Sequence, residues 1–197
     1  MKKLLAILFM ALSTQVFADA VGIEVGEVNI QNGMAHQTGV AIAYRKDINR
    51  MVSLDLGVLG ARTDDAMGRP SDAATSRVET GATFRLGRIG SLGLYDRVAL
   101  GNQFGSWTNM KTRSSANQDF TYWSNELGVM TSFGKVDARL GYRWRDVISG
   151  DRGFKTETTR LNVGYNVDKQ NRFGIGYDAL RGDFKSNQVS LTYTRSF

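Results

Sequence analysis

Three features of this 197-residue sequence predict an all-β fold: a transmembrane antiparallel up-and-down β-barrel of about ten strands, with eight or twelve as the alternatives. Apolar and polar residues alternate at every second position from about residue 21 to the end. After the first dozen residues, no stretch is apolar over the ~18 residues that a spanning helix needs. The connections between alternating segments are short and long in turn, as in barrels that meet lipid outside and water within.

The N-terminus stands apart from this pattern. Lys2 and Lys3 precede the apolar run Leu4–Leu12, and Val16-Phe17-Ala18 offers a small residue at a cleavage point. Residues 1–18 therefore read as a cleaved signal peptide and 19–197 as the barrel domain. The chain has no cysteine, which excludes disulfides, thiolate metal sites and a cysteine nucleophile. Its formal charge is +6, and loss of Lys2 and Lys3 would leave +4, because residues 1–18 hold no acid. The basic residues are spread through alternating segments rather than clustered, so the charge points to anionic lipid or anionic solutes and not to nucleic acid.

The ten strands are predicted as follows. The first, about 21–30, is the least regular. The second, 38–46, sets Val40, Ile42 and Tyr44 against Gly39, Ala41, Ala43 and Arg45, and the third, 51–61, sets Leu54, Leu56 and Val58 against Ser53, Asp55 and Gly57. The fourth, 76–87, puts Arg77, Glu79 and Arg85 on the polar face. The fifth, 91–101, puts Tyr95 and Arg97 there and leaves Asp96 on the apolar side, a blemish in the pattern. The sixth, 120–132, gives Tyr122, Ser124 and Glu126 to the polar face. The seventh, 136–146, gives it Asp137, Arg139, Arg143 and Arg145, against Leu140, Tyr142 and Trp144. The eighth, 157–167, contributes Arg160, the ninth, 172–181, Asp178, and the tenth is 187–197. A helix over 136–146 fails on geometry, since every second residue would scatter round the whole cylinder.

The segments at 31–37, 62–75, 102–119 and 147–156 are predicted as the longer loops, and 182–186 as a shorter one on the same side. Aromatics near both ends of the strands (Tyr44, Phe84, Phe133, Tyr165, Phe173 and Phe197 at one, Trp123 and Trp144 at the other) suit the two interfaces of a bilayer. A soluble sandwich or lipocalin-like barrel also alternates, but it buries the apolar face instead of presenting it.

The C-terminal VSLTYTRSF ends on Phe197 with Tyr193, Leu191 and Val189 at every second position before it, and Arg195 departs from that pattern. With the signal and the hairpin rhythm, this tail resembles the small outer-membrane β-barrel proteins of Gram-negative bacteria. The resemblance implies a cell outer-membrane location, lipid and lipopolysaccharide as neighbours, and insertion by the barrel-assembly machinery. A shorter likeness joins LGYRWRD, Leu140 to Asp146, to the narrow porins for acidic oligosaccharides such as the oligogalacturonate channels.

On this reading the lumen is lined by Arg77, Glu79, Arg85, Arg97, Glu126, Arg139, Arg143, Arg145, Arg160 and Asp178, together with Arg45, Glu24, Asp55 and Asp137. A ten-stranded barrel has a backbone radius of roughly 10 Å, so such side chains can cross it or leave a narrow positive passage. The expected function is a narrow, porin-like channel with an arginine-biased lumen for small anionic solutes. The alternative is a closed structural or adhesin-like barrel that acts through its extracellular loops. No cofactor, metal or enzyme activity is expected. The only histidine, His36, stands in a short loop, and Asp64-Asp65 has no histidine partner on a later loop. The stretch Asn102–Asp119, polar with Phe104, Trp107 and Met110 as apolar points, is the candidate surface for an outside partner.

Overall fold

The computed structural model describes residues 20–30, 35–66, 69–109, 114–150, 155–183 and 185–197. The proposed signal, residues 1–18, lies outside the described residues. The strands are β1 (Ala20–Ile30), β2 (Ala35–Asp47), β3 (Val52–Ala66), β4 (Arg69–Ile89), β5 (Leu92–Asn109), β6 (Ser114–Phe133), β7 (Val136–Gly150), β8 (Thr156–Asn166), β9 (Asn171–Gly182) and β10 (Ser186–Ser196). Each pairs antiparallel with its sequence neighbours, and β1 pairs with β10, from Ala20 opposite Ser196 to Ile30 opposite Ser186. The sheet is a closed barrel without a free edge.

The barrel is apolar outside and polar within. Large apolar side chains are exposed on its outer face, among them Leu127 at 45% and Leu191 at 63%. A soluble surface rarely leaves more than a few hundred Å² of contiguous apolar area bare, whereas a bilayer covers such a band. Inside, the side chains most shielded from water include Tyr95, Tyr122, Ser124 and Glu126.

Turn chemistry closes the hairpins at one end. Gly90 (φ 62°) and Gly134 (φ 59°) supply the left-handed backbone of two-residue turns between β4 and β5 and between β6 and β7. The other two turns use a side-chain acceptor. Asn49 Oδ1 accepts the N–H groups of Met51 and Val52, and Asp168 Oδ1 those of Gln170 and Asn171.

At the opposite end the structure corrects the predicted loops. Most of 62–75 and 102–119 is strand, and β7 continues through 147–150. β4, β5 and β6 run to 21, 18 and 20 residues, and their hairpins project past the ~9–11 residues that a bilayer requires. Period two disappears there for a physical reason: beyond the lipid both faces of a strand meet water, so polar residues occupy both. Asp96 keeps the register, since it faces outward and accepts a hydrogen bond from Asn125 Nδ2 at 2.5 Å, so a lateral neighbour satisfies the blemish.

Candidate lumen site

The inner wall has two unlike halves. β4 to β8 carry the long charged and aromatic side chains. β9, β10, β1, β2 and β3 contribute mostly Gly, Ala, Ser and Thr, with Glu24, Asp55, Asp178 and Arg172 among them. The long side chains fold across the barrel and meet at mid-depth.

Two carboxylates organise that meeting. Glu79 of β4 accepts the Tyr122 hydroxyl at 2.6 Å and pairs with Arg97 at 2.9 Å and Arg143 at 3.2 Å. Glu126 of β6 accepts the Tyr95 hydroxyl at 2.7 Å and pairs with Arg139 at 3.0 Å, Arg160 at 3.2 Å and Arg143 at 3.4 Å. Arg97 also binds Asp55 side-on, through Nε and Nη2, and Arg160 binds Asp178 at 3.0 Å. The result is one unbroken chain of ion pairs, Asp55–Arg97–Glu79–Arg143–Glu126–Arg160–Asp178, reaching from β3 to β9. Its centre is dry: Glu126 is 2% exposed and Arg143 6%. Buried charges hold such positions only when each has opposite charge and hydrogen bonds to replace water.

Small residues make room for this layer. A Cβ on Gly128 or Gly141 would collide with the Tyr95 hydroxyl, and one on Gly101 with that of Tyr122. Tyr95 thus lies across glycines of β6 and β7 and Tyr122 across one of β5, and each holds a guanidinium over its ring, Arg139 over Tyr95 at 3.8 Å and Arg145 over Tyr122 at 4.2 Å.

At the short-turn rim lies a separate group. Arg85 donates to Asp47 at 2.9 Å and to the Arg50 carbonyl at 3.0 Å, and Arg45 shares Asp47. On β7 to β9, Arg172 clamps Asp137 and donates to Asn162 at 2.7 Å. The sequence reading passed over Arg172 and Asp47, although Arg172 shares the parity of Gly174, Gly176 and Asp178. Of the arginines expected inside, Arg77 and Arg145 form no ion pair among the described residues. His36 stands apart, exposed, against Glu27 at 3.1 Å. The side chains of Asp64 and Asp65 lie outside the described residues.

A shallow groove of about 550 Å³ marks the outer surface near the projecting end. It follows two register rows, Val40–Gly60–Ser76–Phe104–Asp119 and Thr38–Arg62–Ala74–Ser106–Asn117. Gly60, Ala74, Ser76 and Ser106 are small, so the sheet surface sinks between Val40 and Phe104.

No protein-family model matches the chain, and no curated protein matches it. Solved structures do. The translocator domain of the autotransporter NalP from Neisseria meningitidis aligns at a TM-score of 0.54 and 8% identity, over 100% of this chain and 94% of that one. The β domain of the Bordetella autotransporter BrkA gives 0.53 and 14%, over 92% and 100%. The outer membrane protease OmpT from Escherichia coli gives 0.50 and 7%, over 91% and 94%. The chain has the fold of the Gram-negative outer-membrane β-barrels. At these identities the likeness is one of fold.

Proposed function

We propose that this protein is a non-catalytic outer-membrane barrel, closed at mid-depth by its lumen network, which acts at the cell surface through the projecting part of β3 to β6. Residues 1–18 are its export signal. Lipid and lipopolysaccharide surround it, and the barrel-assembly machinery inserts it. The carrying observation is the ion-pair chain from Asp55 to Asp178, whose central side chains are almost wholly shielded from water. A barrel stoppered in this way has its free surface at the projecting end, where the groove beside Phe104 lies.

Filling that groove tests the surface role. A Cβ at Gly60 meets nothing within 4 Å, so Gly60→Leu with Ser76→Leu changes the surface and leaves the barrel intact. Cells displaying the wild type should bind members of a panel of immobilised glycans and matrix proteins, and cells displaying the filled variant should lose that binding. Equal binding by displaying and non-displaying cells across the panel would remove the role.

The narrow channel for small anionic solutes is the second reading. It is favoured by the side chains of Arg139 and Arg160, which remain 35% and 33% exposed. Discrete, anion-selective conductance of the wild-type protein in a planar bilayer would replace the closed reading with this one.

A further inference from the structure

We propose that the outer face of the barrel, at its short-turn end, holds one phospholipid whose headgroup carries a primary ammonium beside its phosphate, with Asp96 receiving the ammonium and Arg50 the phosphate. A groove of about 610 Å³ lies there, with Arg50, Met51, Val52, Phe84, Leu86 and Asp96 in its lining. That volume falls within the roughly 300–1,000 Å³ of small-molecule sites. Val52, Phe84 and Asp96 form one outward-facing register row across β3, β4 and β5. Beside this row the β4–β5 pairing shifts between Arg85 and Gly87, a bulge that bends β4. The β2–β3 turn forms the other border. Arg85 pins it in place: the Arg50 carbonyl accepts from Arg85 Nη1 at 3.0 Å, and the Met51 carbonyl from the Arg85 N–H at 2.7 Å. The backbone that carries the Arg50 side chain is therefore fixed at the edge of the groove.

The occupant follows from the charges at the two ends of the groove. Asp96 stands on a lipid-facing surface, where an ionisable side chain calls for a partner. Asn125 Nδ2 donates to its Oδ1 at 2.5 Å, but that bond brings no opposite charge. Asp96 forms no ion pair among the described residues. Arg97, its neighbour in sequence, points into the lumen and is taken up by Asp55 and Glu79. At the other end the Arg50 guanidinium has no ion pair among the described residues either. A phosphoethanolamine headgroup lying along the row answers both charges, and its ammonium gives the carboxylate a charge-assisted hydrogen bond. The acyl chains then run over Leu54 and Val98, exposed on the next outward row towards the middle of the bilayer. An anionic headgroup would leave Asp96 without a counter-charge, and a trimethylammonium has no N–H to donate to it. The lipid comes from the periplasmic leaflet, since short turns face the periplasm in barrels of this class. The groove lies on the opposite side of the sheet from the lumen, so the site does not depend on whether the ion pairs close the barrel.

Native mass spectrometry of the refolded protein tests the site, with release from detergent micelles that hold equal amounts of phosphatidylethanolamine, phosphatidylglycerol and phosphatidylcholine of the same acyl chains. One retained phosphatidylethanolamine is expected, in about fivefold or greater excess over either competitor. Asp96→Asn should abolish the preference over phosphatidylcholine. Arg50→Gln should lower the retention of both lipids alike, because both carry the phosphate. Arg195→Gln, on β10 and distant from the groove, should change neither. Should Asp96→Asn fail to fold, the wild-type preference and Arg50→Gln, a change in an exposed turn, decide. Equal retention of the three lipids by the wild type would overturn the proposal, as would an undiminished preference in Asp96→Asn or undiminished retention in Arg50→Gln. A dimer that Asp96→Asn dissociates would assign the groove to a second copy of the chain, with the same consequence.

Discussion

The two halves of the lumen wall solve one problem in opposite ways. β4 to β8 fill the barrel with long side chains whose charges are buried and must therefore be matched. β9, β10 and β1 to β3 fill almost nothing, and their Gly, Ala, Ser and Thr leave space for what the other half sends across. Closure is thus one-sided. The stopper hangs from the charged half, and Asp55 and Asp178 at the margins of the other half tie down its two ends. A small residue of the second half with open space beside it, such as Gly57, should consequently tolerate substitution far better than the glycines beneath the stopper.

The largest effect is expected at Glu126. Glu126→Ala leaves Arg139, Arg143, Arg160 and the Tyr95 hydroxyl without their shared acceptor, and the loss of one member of a buried pair costs about 3–5 kcal/mol. Urea unfolding of the refolded protein in detergent reads this as a large fall in the midpoint. An intermediate effect is expected at Gly141, where a new methyl would collide with the Tyr95 hydroxyl and the Glu126 carboxylate. Gly141→Ala should lower stability by about 1–3 kcal/mol, as overpacking does. The matching change in the small-residue half, Gly57→Ala, meets its nearest atom only at 4.0 Å. It should stay within about 0.5 kcal/mol of the wild type. Equal costs at Gly141 and Gly57 would remove the distinction between the halves.

The smallest effect lies outside the lumen, in the β8–β9 turn. The Asn171 side chain and the N–H groups of Gln170 and Asn171 hold the Asp168 carboxyl below its ordinary value. Its contribution is full above the unfolded carboxylate pKa of about 3.9 and disappears as the pH falls through the lower native one. Asp168→Asn keeps an acceptor oxygen, so stability at neutral pH should change little. The acid-dependent part of the profile should shrink, as pH-dependent unfolding curves of the two proteins would register.

The strand count was legible because two solvents impose period two wherever a strand lies between lipid and lumen. The strand ends were not legible, because at 69–75, 102–109 and 114–119 both faces are wet and the period has no cause. The lumen was legible as a list of side chains on one face, with Arg172 and Asp47 missed. Its pairings were not: Glu79 meets Arg143 across 64 residues of sequence and Tyr122 across 43, and alternation holds no information about which acid an arginine reaches. The glycines opposite Tyr95 and Tyr122 were visible only as gaps in the polar face. Their meaning needs the register that puts a phenol over them.

The central claim is that ion pairs close this barrel. Its most direct test is planar-bilayer conductance of the refolded wild type beside the double variant Glu79→Ala/Arg143→Ala, which removes two adjoining members of the chain together. The account predicts a silent wild type and discrete conductance in the variant. Steady, discrete conductance of the wild type, undiminished or unchanged by the double substitution, would contradict it.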